Sequence, residues 1–154
     1  MRRRLQLIPI LLILFNLVIV SCKKDNTVDS THSFNWNYAN VNYKAGIDTA
    51  YTTSMSGGPT IIAGLGTRLT SIGPGPRIIL TSFMAGIYRF GQTNTNRFIY
   101  IDHNEDEQQA IDGSINITNN ANNLLSGNFS VTLIDPLGVK RPLTGSFNNV
   151  SIRF

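Results

Sequence analysis

Cysteine is almost absent from this sequence, because Cys22 is the only one in 154 residues. No disulfide can therefore form within the chain, although an exported protein could use one. The fold has to depend on a packed core instead. Residues 22–154 have the length of one domain, and such a domain buries roughly two thirds of its unfolded surface.

Charged residues are scarce as well, at 14% of the sequence. The formal net charge is +4, with 13 Lys and Arg against 9 Asp and Glu. Three of these cations are Arg2, Arg3 and Arg4, so the chain beyond residue 21 has ten cations against the same nine acids, a net charge of +1. The ten cations are scattered, and a nucleic-acid partner is therefore not expected.

The first residues have the pattern of an export signal. A basic start at residues 2–4 is followed by sixteen residues, Leu5 to Val20, of which three interrupt an otherwise apolar run. This order predicts a signal peptide over residues 1–21. The run is too short for a spanning helix, which needs ~20 apolar residues.

Cys22 lies where the apolar run meets Lys23 and Lys24. The stretch around it resembles a bacterial lipobox, with Ser21 as the small residue before the cysteine. The resemblance implies that the Cys22 thiol receives a diacylglycerol and becomes the new N-terminus. Two or more acyl chains hold a protein on a bilayer. We therefore predict a lipidated flexible tether over residues 22–33, with the membrane as a partner through the N-terminal lipid.

No helix is predicted from Phe34 onward. Prolines and glycines cut the chain into short pieces, within which apolar and polar residues alternate with period two, as in Phe34, Trp36 and Tyr38. Residues 34–154 are therefore predicted to form one all-β domain, either an antiparallel sandwich or a small barrel, after a cleaved signal helix.

The last third of the chain predicts a three-strand meander. Its segments begin at Gly113, Gly127 and Gly145, and each continues with a polar residue and an apolar one. In the second segment Phe129, Val131 and Leu133 fall on one face. A turn at residues 135–138, with the sequence Asp-Pro-Leu-Gly, separates the second segment from the third.

The third segment requires an irregularity. Phe147 has the opposite parity to Val150, so strict alternation would turn one of the two outward. A β-bulge at Asn148 and Asn149 would return both side chains to the same face.

These patterns resemble a known group of proteins. The segments TIIAG (60–64), DGSINIT (112–118), LSGNFSVTL (125–133) and LTGSFNNVSI (143–152) are similar to the small uncharacterised lipoprotein domains common in the Bacteroidota. The resemblance covers residues 34–154. It implies a β-sandwich-like fold lodged in the outer membrane, facing either the periplasm or the outside, and it implies no activity.

Two further segments, Asp29-Ser-Thr and Asp48-Thr-Ala, resemble the acceptor motif for O-glycosylation in envelope proteins of that phylum. The resemblance implies sugars on Ser30 and Thr49.

Groups that carry catalysis or bind zinc are few. The histidines are His32 and His103, and with no second thiol they do not supply the three or four ligands of a zinc site. The Gly-x-Ser-x-Gly motif is absent. We expect no cofactor and no enzymatic activity. The alternative is a small envelope hydrolase with His103 as base, or with carboxylates from Asp48, Asp112 and Asp135.

One acidic segment is a candidate for calcium. Asp102, Asn104 and Asp106 alternate as at the start of an EF-hand loop. However, the sixth position is Glu107 instead of glycine, and the twelfth is Gly113 instead of glutamate. A solvated loop is the preferred interpretation, with a calcium-stabilised module as the alternative.

Trp36, Tyr38 and Tyr43 are candidates for contact with a glycan, because flat aromatic rings stack on sugars. At strand spacing, however, such residues more often belong to the core. Together with the predicted anchor, these patterns lead us to expect an outer-membrane envelope lipoprotein that acts by binding or as a structural component. Its partner would be a glycan or another envelope protein.

Overall fold

A computed structural model describes residues 32–46, 50–55, 58–65 and 73–153 of the protein. The described residues form ten strands: β1 (Ser33–Tyr38), β2 (Val41–Lys44), β3 (Tyr51–Met55), β4 (Gly58–Ile62), β5 (Gly75–Ile79), β6 (Gly86–Arg89), β7 (Arg97–Ile101), β8 (Glu107–Ala121), β9 (Leu124–Ile134) and β10 (Lys140–Ser151). The predicted all-β class is confirmed. No helix in this part of the chain is long and apolar enough to cross a membrane.

The ten strands belong to one sheet in the order β2-β1-β10-β9-β8-β7-β5-β4-β3, and β6 pairs with β8 beside this path. All strand pairs are antiparallel. The sheet curls into a half-barrel. Strands β8, β9 and β10 are successive neighbours, which confirms the predicted C-terminal meander.

The curl brings the edge strand β3 to the far end of β10. Thr52 on β3 forms a parallel bridge with Ile152, which follows β10. The buried Thr52 hydroxyl donates a hydrogen bond to the Ser151 carbonyl (3.4 Å) and accepts one from the Arg153 backbone N–H (3.2 Å). One buried hydroxyl thereby joins two strands that lie six places apart in the sheet order, through residues 99 positions apart in the sequence.

The sheet has two ends that differ in chemistry. We call the mouth the end at which β1, β7 and β9 finish, formed by residues 39–40, 102–106 and 135–139. We call the base the opposite end, where β1 and β9 begin, formed with residues 80–85 and 122–123. Ser33 is the first residue of β1, so it belongs to the sheet and not to the predicted tether.

The core lies on the concave side of the curl. Alternate residues of each strand place their side chains there. Phe129, Val131 and Leu133 are all buried, as predicted for one face of β9. Phe34 and Trp36 on β1 are buried on the same side, while Asn35 between them is exposed. The period-two pattern therefore identified the core face of these strands correctly.

Two glycines give the meander its close packing. In the antiparallel register Gly127 pairs with Phe147, and Gly145 pairs with Phe129. A Cβ atom on either glycine would collide with the ring of its partner. Phe34 of β1 then covers both rings, with centroid distances of 5.7 Å to Phe129 and 5.5 Å to Phe147. The repeated glycine–polar–phenylalanine pattern thus has a structural reason.

The predicted β-bulge in β10 is confirmed. The register shifts between Phe147, opposite Gly127, and Val150, opposite Leu125, so Asn148 and Asn149 together face one residue of β9. That residue is Ser126, whose hydroxyl donates to the Asn148 side chain and accepts from the Asn149 N–H, both at 3.0 Å. Phe147 and Val150 are both buried as a result.

We expect Phe129→Ala to destabilise the domain by ~3–5 kcal/mol, because it removes a buried ring and leaves a cavity between Phe34 and Gly145. Ser130→Ala is the matched control. Ser130 is the next residue on β9, its side chain is exposed, and the change should stay within about 0.5 kcal/mol. Chemical denaturation measures both values, and a cost below about 1 kcal/mol for Phe129→Ala would contradict the register.

Candidate functional site

The inner side chains at the mouth form a polar and aromatic group. Tyr38, the last residue of β1, lies 4.6 Å from Tyr100 of β7 between ring centroids. Its hydroxyl donates a 2.8 Å hydrogen bond to Oε1 of Gln108, a buried residue of β8. Strand β1 is not a neighbour of β7 or β8 in the sheet, so these contacts span the interior of the curl.

Trp36 and Tyr43 stack on each other at the side of this group, with ring centroids 5.6 Å apart. Trp36 is only 2% exposed and also meets the edge of Phe34 at 6.1 Å. A sugar cannot reach a ring covered in this way, so Trp36 belongs to the core and not to a glycan site. Tyr38 and Tyr43 are half-buried, and Tyr38 keeps part of its surface at the mouth.

The indole N–H of Trp36 is buried without a hydrogen-bond partner in the described structure. Near it, burial raises the pKa of the Tyr100 phenol to about 12. The Trp36 indole opposes this shift, although the pair does not reach hydrogen-bond geometry. Burial dominates because charged phenolate would lose its hydration inside the half-barrel.

The acidic loop between β7 and β8 is built around Asp102. Its Oδ1 accepts hydrogen bonds from the backbone N–H of Asn104 (2.8 Å) and of Asp106 (3.1 Å). The carboxylate thereby caps a turn, as aspartate commonly does. In the described ranges no three His, Cys, Asp or Glu side chains are grouped so that they could hold a metal ion.

Asp135 has the same role in the turn between β9 and β10. Its Oδ1 accepts from the N–H of Leu137 (3.0 Å) and of Val139 (2.7 Å), and its carbonyl accepts from Gly138 (2.9 Å). The predicted turn at residues 135–138 is therefore confirmed. Both turns present carboxylates at the mouth.

A depression of about 520 Å³ lies between these two turns. Tyr38 and Gln108 line its inner part, and the charged groups around it are Asp102, Asp106, Asp135 and Arg141. Its volume falls within the ~300–1,000 Å³ of typical small-ligand sites. This depression, which we call the mouth site, combines an aromatic ring and a side-chain amide with three carboxylates and one guanidinium.

A second depression of about 420 Å³ lies on the other side of the acidic loop and shares Asp102 with the mouth site. Its polar residues include Arg77, His103 and Glu105. His103 is exposed, and its ring lies 6.3 Å from that of Tyr43.

A third depression, of about 480 Å³, lies on the convex face across β2, β1 and β10. The side chains that point to this face are Asn35, Asn37, Asn42, Lys44, Thr144 and Ser146. Trp36 and Tyr43 also line this depression, but their side chains belong to the inner face of β1 and β2. No carboxylate lines it, so we regard the mouth site as the better candidate.

Several predicted positions lie outside the described residues, namely Cys22, Ser30, Asp48 and Thr49. Asp112 is described and lies on the exposed side of β8, where its Oδ1 accepts from the N–H of Gly113 (2.7 Å).

Sequence reasoning missed three residues of the mouth, Tyr100, Gln108 and Arg141. Nothing in the sequence indicated that β1 would reach Tyr100. We also compared the chain with protein-family models, with curated proteins and with solved structures. None of the three comparisons finds a match, so they assign no function to the mouth site.

The raised pKa of Tyr100 predicts how stability depends on pH. Above pH 10, the ordinary pKa, the unfolded chain loses the phenol proton while the folded protein keeps it up to about pH 12. The folded state then binds more protons, so stability should be fully present below pH 10 and fall between pH 10 and about 12.

Tyr100→Phe removes this group, so its unfolding free energy should fall less between pH 8 and pH 11 than that of the original protein. Urea unfolding at a series of pH values measures the difference. An equal fall in both proteins would show that Tyr100 does not contribute.

Proposed function

We propose that this protein is a lipid-anchored component of the bacterial outer membrane whose β domain binds a glycan at the mouth site. The proposal of a glycan ligand rests on the mouth site. Tyr38, three carboxylates and Arg141 line this depression of about 520 Å³. The proposal of a lipid anchor rests on the position of Cys22 directly after a segment that has the pattern of a signal peptide.

The chemistry of the mouth site suits a polyhydroxylated ligand. Sugar hydroxyls both donate and accept hydrogen bonds, so they can pair with carboxylates, with an amide and with a guanidinium in one site. Hydrogen bonds to charged groups are the stronger ones. The half-buried Tyr38 adds apolar surface for the carbon face of a sugar ring.

Binding accounts for these residues better than catalysis does. Asp102 and Asp135 each cap a turn through Oδ1, so both carboxylates have a structural reason to be present without a catalytic pair. The described ring contact of His103 is with Tyr43, and it gives no support to a role as the base of a serine nucleophile. A hydrolase or a calcium-stabilised module is therefore not our proposal.

Acylation of Cys22 is tested by mass spectrometry of the full chain purified from the membranes of a host that processes lipoproteins. We expect residues 1–21 to be absent and the mass of acyl chains to be added to Cys22. Cys22→Ser should remain unprocessed, because serine lacks the thiol that is modified. Normal membrane anchoring of Cys22→Ser would contradict the proposal.

Glycan binding is tested by calorimetric titration with oligomers of glucose, xylose, mannose and N-acetylglucosamine. We expect Asp106→Asn and Arg141→Gln each to weaken binding by about tenfold or more, because each loses a charged hydrogen-bonding group. The matched controls are Glu107→Gln and Lys140→Gln. These change the same charges at neighbouring exposed residues that do not line the mouth site.

The controls should retain the affinity of the original protein. Absence of binding to every oligomer would exclude these glycans as ligands. Equal losses of affinity in the variants and in their controls would show that binding depends on the overall charge and not on the mouth site.

A further inference from the structure

Asp112 is followed by glycine, and its side chain lies against the peptide bond that joins the two residues. Oδ1 of Asp112 accepts a hydrogen bond from the backbone N–H of Gly113 at 2.7 Å. Cγ is bonded to that oxygen at about 1.2 Å, so Cγ lies within about 4 Å of the Gly113 nitrogen. Reacting atoms held for attack are ~3–3.5 Å apart, so this carboxyl carbon is close to the reach of a backbone nitrogen.

The two aspartates that cap turns are arranged differently. Oδ1 of Asp102 and Oδ1 of Asp135 both accept from backbone N–H groups two and four residues ahead. Asp135 is also followed by Pro136, whose nitrogen carries no hydrogen. Asp112 differs from both because it presents its carboxyl group to the nitrogen of the next residue.

Strand β8 is irregular at this point. Its pairing with β7 ends at Gln109 and its pairing with β6 begins at Ser114, while its register with β9 shifts between Ala110 and Asp112. Gly113 has a φ of 120°, which favours glycine. A ring that closes between Asp112 and the next nitrogen has to turn the backbone away from extended geometry, and a bulged segment opposes that turn less than a regular strand does.

The surroundings of Asp112 also suit ring closure. Its side chain is exposed on the convex side of β8, so water reaches the carboxyl group. Gly113 has no side chain to crowd the attacking nitrogen. A close nitrogen, an open approach and access to water are the requirements for cyclisation of an aspartate.

We propose that Asp112 is a modification site, at which aspartate isomerises spontaneously to isoaspartate in the folded protein. The Gly113 nitrogen forms a bond to Cγ of the protonated carboxyl group, and the carboxyl oxygen leaves as water with the proton of that nitrogen. The resulting succinimide then takes up one water. Opening at Cγ restores aspartate, whereas opening at the backbone carbonyl of Asp112 leaves isoaspartate. Nothing is oxidised or reduced in either step.

The product would disturb the sheet, because isoaspartate lengthens the main chain of β8 by one carbon atom. The neighbouring backbone leaves little room for that atom. Gly113 pairs with Val131, and even a Cβ atom on Gly113 would collide with Val131 and with the carbonyl oxygen of Ser130. The extra carbon must therefore shift β8 against β9, and we expect the isomerised protein to be less stable.

The test uses the purified full chain, kept folded and warm at neutral pH for several weeks. Digestion at mildly acidic pH and electron-transfer fragmentation then locate isoaspartate residue by residue. We expect residue 112 to carry at least about tenfold more isoaspartate than Asp102, Asp106 or Asp135, because its carboxyl carbon is held near the next nitrogen. Neither the lipid nor a glycan takes part, so the result is independent of both proposals above.

Asp112→Glu should remove the signal, because the longer side chain would have to close a six-membered ring. Asp106→Glu is the matched control at an exposed position of the β7–β8 loop and should leave the signal at residue 112 unchanged. Asp112→Asn should form isoaspartate faster, since an amide cyclises without first being protonated. Gly113→Ala is avoided, because its Cβ atom would prevent the native pairing with β9.

The same chain unfolded in urea shows what the fold contributes. Isoaspartate at residue 112 in urea but not in the folded protein would overturn the proposal, because the strand would then hold the two atoms apart. Equal amounts at residue 112 and at the other aspartates would overturn it as well. The isomerised fraction, separated by ion exchange, should unfold at a lower urea concentration than the unmodified protein, and an equal midpoint would contradict the inferred shift of β8.

Discussion

The structure depends on two phenylalanine rings that lie over two glycines. Phe129 and Phe147 belong to neighbouring antiparallel strands, and each ring occupies the space that a side chain on Gly145 or Gly127 would fill. A shift of one residue between β9 and β10 would turn the ring of the shifted strand to the convex face and place polar side chains in the core. The reciprocal arrangement therefore holds the meander in one register.

The register of the meander in turn positions the mouth. Phe34 packs on both rings and sets β1 against β10, so Trp36 and Tyr38 follow on the same side at fixed heights. Tyr38 then reaches across the curl to Tyr100 and Gln108. The polar contact that forms the inner part of the mouth site is a consequence of packing about four residues away on the same strand.

Local patterns explain what could be predicted from the sequence. The strands, the core face of β9 and the bulge at Asn148 and Asn149 follow from period-two alternation and its one interruption, which depend on neighbouring residues. The mouth site could not be predicted in this way. Tyr38 and Gln108 are 70 residues apart and meet only because the sheet curls, and period two does not determine curvature.

Antiparallel topology also separates the candidate ligand site from His32, where the described part of the chain enters the sheet. Strands β1, β7 and β9 all run from the base to the mouth, so the loops that follow them carry Asp102, Asp106 and Asp135 to the mouth. The described chain that enters on β1 therefore enters at the base. The separation between His32 and the mouth site is set by the length of β1 and does not depend on the residues before it.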